Sequence, residues 1–270
     1  MELDQKVKDL LPIEWQKKLL ETQKETIEFS LKAEGELPLT ATKAGGIGYF
    51  PKLIPYPTNA NGQPLSLLAQ INFSEIPHLE HFPREGILAF YVDYYDDLIG
   101  MNLDKKNDTP GYRVYYFDSI ADEHVTRDEQ ISYFLPYLEE EKFTVVDTEL
   151  RMIPRLTKQF LFNDIADFDQ FFGMPKQDIE SFDPYADELD DLVQFGTRLG
   201  GYPNFTQYDP RVYVEGKEMD VLLFQLDTDY DESGEWEIMW GDSGVGNFFI
   251  SLRDLQERKF ENAWYSWDCM

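Results

Sequence analysis

Leu67-Leu68-Ala69-Gln70-Ile71-Asn72 returns as Leu222-Leu223-Phe224-Gln225-Leu226-Asp227, each residue 155 positions after its counterpart. A second pair keeps the same spacing: Lys43-Ala44-Gly45-Gly46 and Arg198-Leu199-Gly200-Gly201. Both apolar blocks have the length and composition of buried strands, and each follows a Gly-Gly loop. Downstream, a glycine leads into an aromatic strand in each case, Gly86 to Tyr91 and Gly246 to Ile250. Either common dipeptides coincide or the chain holds two related halves; the shared register favours the second reading. A glutamine inside an apolar strand must find hydrogen-bond partners, because burying it unpaired costs a few kcal/mol. Gln70 and Gln225 are therefore expected to bind adjacent loop backbone, with a ligand role as the alternative.

Working outward, Pro12 suits a first helical turn, and Ile13, Trp15, Leu19 and Leu20 recur at helical spacing. The period then shortens to two: Ile27, Phe29, Leu31 and Ala33 alternate with polar residues and predict a strand. Further strands are expected over residues 65–71, 86–92, 112–117, 144–150, 221–226, 236–240 and 247–251. Residues 128–137 read as a short helix or an extended segment ending at Pro136, residues 183–195 as a helix, and residues 253–259 as a short helix. Strands and helices without βαβ alternation predict an α+β fold. The expectation is mixed or antiparallel sheets from two related halves, with an N-terminal helix and a helical connecting segment. Residues 1–270 are read as a single domain, with halves at about 26–120 and 196–268 and a linker or insertion at 121–195.

Fifty-two acidic residues against 24 basic ones leave a net charge of -28. That charge repels phosphate backbones and anionic lipid, so neither nucleic acid nor membrane is an expected partner. With 42% hydrophobic and 15% aromatic residues the chain has ample core material, so disorder is not expected. One cysteine, Cys269, excludes an internal disulfide. Met1 to Asp9 lack an apolar run, and no stretch approaches the roughly 20 residues of a spanning helix, so a cytoplasmic location is expected.

The strongest chemical candidate is an acidic turn. Asp227, Asp229 and Asp231 stand at i, i+2 and i+4, as in oxygen-ligand calcium loops. The usual helix–loop–helix site is excluded, since Glu232 and Ile238 occupy the glycine and glutamate positions such a loop needs. A looser metal site would use Asp227, Asp229 and Asp242. Arg198 and Arg211 lie near the second Gly-Gly loop, where a guanidinium either grips an anionic ligand or pairs with an acid such as Asp209 or Asp227. With Gln70 and Gln225 they form the candidate ligand-binding set. Gly241-Asp242-Ser243-Gly244 is not a nucleophile elbow, and three histidines, His78, His81 and His124, offer no supporting pattern. Phosphate-binding glycine loops are absent.

Several strings together resemble the bacterial YwqG-like family of uncharacterised proteins. They are Gly45-Gly46, Pro64 through Asn72, Gly86 to Phe90, Gly201-Tyr202-Pro203 with Gln207 to Arg211, Leu222 to Asp229, Trp240 to Gly244, and Phe248-Phe249-Ile250. The resemblance spans nearly the whole chain and implies mixed α and β structure; it implies no established activity, cofactor or catalytic residue. The catalytic residues and cofactors therefore stay unknown at this point. Three functions remain: a non-enzymatic module binding a protein, with Trp264, Tyr265 and Trp267 as expected exposed aromatics; a small-ligand module with its pocket between the halves; and a metal-assisted hydrolase using Asp227, Asp229 and Asp242.

Overall fold

The computed structural model describes residues 8–9, 13–101, 111–161, 195–213 and 219–270. Helix α1 (Ile13–Glu21) leads into the ten-residue strand β1 (Lys24–Ala33), then β2 (Lys43–Ala44), β3 (Ser66–Asn72), β4 (Ile87–Val92) and β5 (Tyr112–Phe117). Helix α2 (Arg127–Phe134) follows, and then β6 (Leu150–Gln159), β7 (Arg198–Gly200) and β8 (Val221–Asp227). A small pair, β9 (Asp229–Tyr230) and β10 (Glu237–Ile238), precedes β11 (Val245–Ile250), α3 (Leu252–Gln256) and β12 (Trp264–Asp268). This is an α+β fold with an N-terminal helix and a large antiparallel sheet.

Ten strands form that sheet in the order β12-β11-β8-β7-β1-β6-β2-β3-β4-β5. Its centre is the long β1–β6 pair, in which Ser30 faces Ile153. On one side β6 pairs with β2 (Arg151 with Lys43, Leu150 with Ala44), and on the other β1 pairs with β7 (Glu28 with Arg198, Ile27 with Leu199). The two contacts match residue for residue: Lys43 to Arg198 spans 155 positions, and Glu28 to Arg151 spans 123. The β1–β6 register agrees, because Ser30 and Ile153, also 123 apart, face each other at the centre. Each long strand thus completes the sheet of the other flank. The bulges agree too: Leu68 is skipped in the β3–β4 ladder, and Leu223 in the β8–β11 ladder.

One hydrophobic core lies between the flanks. Phe90 of β4 stacks on Phe224 of β8 at 4.8 Å and meets Phe248 of β11 at 4.7 Å. Tyr112 of β5 packs edge-on against Tyr265 of β12, and its hydroxyl donates to the Ala263 carbonyl at 3.2 Å. The outer face of the first flank carries a second cluster, with Phe50, Tyr91 and Tyr115 in edge-to-face contact.

Three expectations need correction. The strand predicted over 144–150 lies instead at Leu150–Gln159 and runs through Pro154. A proline is tolerated there because β2 ends opposite Arg151, which leaves one edge of β6 without a ladder to donate to. The C-terminal aromatics do not form an exposed set: β12 pairs with β11, Tyr265 is buried, and Trp264 and Trp267 are partly buried. The strands β2 and β7, too short to show a period, went unpredicted. The helix expected over 183–195 lies outside the described residues apart from Phe195. Residues 127–134 are helical, begun by a capping box in which Thr126 and Glu129 satisfy each other's backbone N–H.

Candidate functional site

Both glutamines are fully buried and hold the loops beside them. Gln70 Oε1 accepts from the Tyr49 N–H at 2.8 Å, and its Nε2 donates to the Leu39 and Ala41 carbonyls, each at 2.8 Å. Gln225 Oε1 accepts from the Asn204 N–H at 2.9 Å, while its Nε2 donates to the Gly196 carbonyl at 2.7 Å and to Asn204 Oδ1. Tyr49 and Asn204, like Ala41 and Gly196, stand 155 positions apart. The flanking threonines repeat the pattern: Asn72 N–H donates to Thr42 Oγ1 at 3.0 Å, and Asp227 N–H to Thr197 Oγ1 at 3.3 Å. The glycines are required for backbone reasons. Gly45, Gly46, Gly200 and Gly201 all have positive φ, between 66° and 79°.

Beside each glutamine lies a buried cation that patterning did not reveal in the first flank. Lys43 Nζ donates to the Pro38 carbonyl at 2.9 Å, the Ile47 carbonyl at 2.6 Å and Glu149 Oε1 at 2.6 Å. Glu149 also accepts from the Leu37 N–H at 3.0 Å and from Arg127 at 3.3 Å. Burial opposes its ionisation, yet Lys43, the Leu37 N–H and Arg127 together hold it below the usual carboxylate range. Lys43 stands 155 positions before Arg198, the spacing that the two glutamine strands share, and that match could have pointed to it. Arg198 is equally buried; its Nε donates to the Gly196 carbonyl at 3.2 Å. Burial lowers its guanidinium to about 10, against the favourable charges of Glu28 and Asp227.

The acidic candidates separate. The Asp227 carboxylate accepts from the Gly196 N–H at 2.6 Å and from Asn204 Nδ2 at 3.4 Å; burial raises its pKa, with these donors and Arg198 opposing. Asp229 Oδ1 accepts from the Tyr230 N–H at 2.8 Å. Asp242 sits exposed in the turn before β11, where Ser243 and Gly241 take positive φ. Among the described residues no group of three or more His, Cys, Asp or Glu side chains is arranged to hold a metal ion. Arg211 forks onto Asp209, its Nε at 2.9 Å from Oδ1 and its Nη2 at 2.5 Å from Oδ2, and it stacks over the Phe249 ring at 5.1 Å. Gln225, Arg198 and Asp227 therefore share one buried network around Gly196, Gln70 belongs to the matching network of the other flank, and Arg211 stands with Asp209.

Around α2 the structure exposes large apolar side chains. Helix α2 turns Gln130 and Phe134 inward and exposes Ile131; Leu135 and Leu138 in the 3-10 turn after it are exposed too, and Leu53 of the neighbouring loop is 83% exposed. Tyr56 meets Tyr133 at 5.1 Å, and Lys52 pairs with Glu129 at 2.8 Å, so loop and helix form one surface. No helix among the described residues is long and apolar enough to cross a membrane.

Comparison with known proteins agrees with the fold-wide resemblance of the sequence. No curated protein matches the chain significantly. A family model does, over residues 42–269, which include both Gly-Gly loops, both glutamine strands and both buried cations. The chain belongs to the YwqG-like family described as Domain of unknown function (DUF1963).

Proposed function

We propose that this chain is a non-enzymatic binding module of two related halves, cytoplasmic in location, that engages a protein partner or a small ligand. One observation carries the reading: the side chains best suited to chemistry are committed to internal bonds. Gln70, Gln225 and Lys43 hold loop backbone, Asp227 holds Gly196, and Arg211 grips Asp209. The related halves are supported by matching register, matching bulges and matching glutamine partners. A fold kept by such internal networks, with apolar side chains outside, suits recognition better than turnover.

The metal-assisted hydrolase reading has less support, because Asp227, Asp229 and Asp242 do not form a metal-holding group among the described residues. Titrating calcium and magnesium into chelator-free protein, with calorimetry, tests it; binding heat abolished by Asp227→Asn would reinstate that reading. The binding reading is tested by affinity capture on the full chain, each retained protein being re-measured in purified form, alongside a thermal-shift screen of metabolites. Failure to find both a reproducible partner and a stabilising metabolite would sink it.

A further inference from the structure

We infer that the outer face of α2, with the adjoining loop tip at Leu53, is a docking surface for a cationic amphipathic helix of a partner protein; this rests on the binding-module reading. The stripe comes first. Ile131 lies on α2, Leu135 opens the 3-10 turn Leu135–Tyr137 that follows it, and Leu138 caps that turn; they are 44%, 56% and 64% exposed. Three large apolar side chains exposed within eight residues make a patch of the kind that the apolar face of a partner helix covers. Tyr133, 38% exposed, and Leu53 widen the patch.

The surface is rigid, so little ordering opposes binding. Gln130, on the inward side, donates to the Gly48 carbonyl at 2.8 Å and the Val125 carbonyl at 3.2 Å. The capping box holds the first turn, and Tyr56 supports Phe134 from below.

Charge selects the occupant. The local cations are engaged by the chain itself: Lys52 on Glu129 at the surface, Arg127 on the Leu37 carbonyl and Glu149, and Lys142 over the Tyr95 and Phe134 rings. The exposed acids Asp122, Asp128, Glu139 and Glu141 form no ion pair among the described residues. In sequence, Asp122 and Asp128 precede Ile131, and Glu139 and Glu141 follow Leu138. A second copy would bring the same acids against themselves, and an overall charge of -28 repels anionic membranes and nucleic acid alike. A helix carrying leucine-type side chains on one face and lysines beside them satisfies both the stripe and its rim.

The probe is a labelled helical peptide of about 18 residues, with leucines at helical spacing and lysines elsewhere, titrated into the full chain by fluorescence anisotropy. Three proteins are compared: wild type, the triple variant Ile131→Ser/Leu135→Ser/Leu138→Ser, and a control with Ile153→Ser/Leu156→Ser on β6. All five side chains are exposed, so thermal midpoints should stay close and report intact folding. Binding should weaken about tenfold or more in the triple variant, stay unchanged in the control, and fall with added salt. Equal affinity for the triple variant, or for a scrambled peptide of the same composition, would overturn the proposal in favour of bulk charge attraction. A concentration-dependent dimer that the triple variant abolishes would overturn it in favour of a second copy. If a partner captured by the wild type binds the triple variant equally, this surface falls while the binding reading stands; if the wild type captures no partner, this surface falls, and the binding reading falls with it if no metabolite stabilises the chain either.

Discussion

Replacing Gln70 by leucine tests the central structural argument, that each glutamine anchors a Gly-Gly loop from inside an apolar strand. The substitution keeps the side chain's size and removes its polar end. It orphans the Tyr49 N–H and the Leu39 and Ala41 carbonyls, each of which the amide meets at 2.8 Å. At about 1 kcal/mol for each stranded group, the loss is about 3 kcal/mol. For a chain of this length that corresponds to a fall in Tm of roughly 6–12 °C. Gln225→Leu strands the Asn204 N–H, the Gly196 carbonyl and Asn204 Oδ1, and should cost about the same. Thermal and urea unfolding followed by circular dichroism measure both. Gln70→Glu adds a sign test. A buried carboxylate facing two carbonyls has its folded-state pKa raised, so the variant should lose stability as pH rises above about 4.3 towards that raised value, and recover it as pH falls back to about 4.3, below which no further change is expected. A Tm change under about 2 °C in either leucine variant, or a large change in one and none in the other, would refute the reasoning.

Lys43→Met should destabilise the chain by about 3–5 kcal/mol, since it leaves Glu149 buried with its main counter-charge removed; adding Glu149→Gln should cost less than the sum of the two single changes, as urea midpoints would reveal. The bond from Lys52, with the Thr126 N–H and hydroxyl, holds exposed Glu129 down at about 2. Its contribution is therefore complete above the ordinary glutamate value of about 4.3 and is lost as pH falls through about 2; the urea-midpoint difference between wild type and Glu129→Gln should be present at neutral pH and vanish at the acid end. Gly201→Ala should lower Tm more than Gly62→Ala. Both glycines have positive φ, 79° and 82°, but a methyl at 201 meets Gln159 and Thr26 whereas one at 62 meets open space.

Much of the strand set could be read along the chain because burial patterns are local. The two-residue period of β1, the unbroken apolar runs of β3, β4 and β8, and the aromatic β5 depend on each strand's own side chains. The need for partners at Gln70 and Gln225 was equally legible, since an amide in an apolar run has a fixed hydrogen-bonding demand. The candidate metal triad was not, because i, i+2 spacing says nothing about which neighbours claim each carboxylate. Gly196, 31 residues before Asp227, claims the first of them.

From sequence alone came the α+β class, the Gly-Gly loops and the glutamine-bearing strands, all of them consequences of side-chain period and backbone freedom. Tertiary structure alone decided that β1 lies beside β7 and β6 beside β2, that Lys43 is buried, and that Pro154 sits within a strand. Those outcomes depend on which distant segment lies alongside. Hydrogen-bond ladders and ion pairs formed across more than a hundred residues leave no periodic trace in the residues that make them.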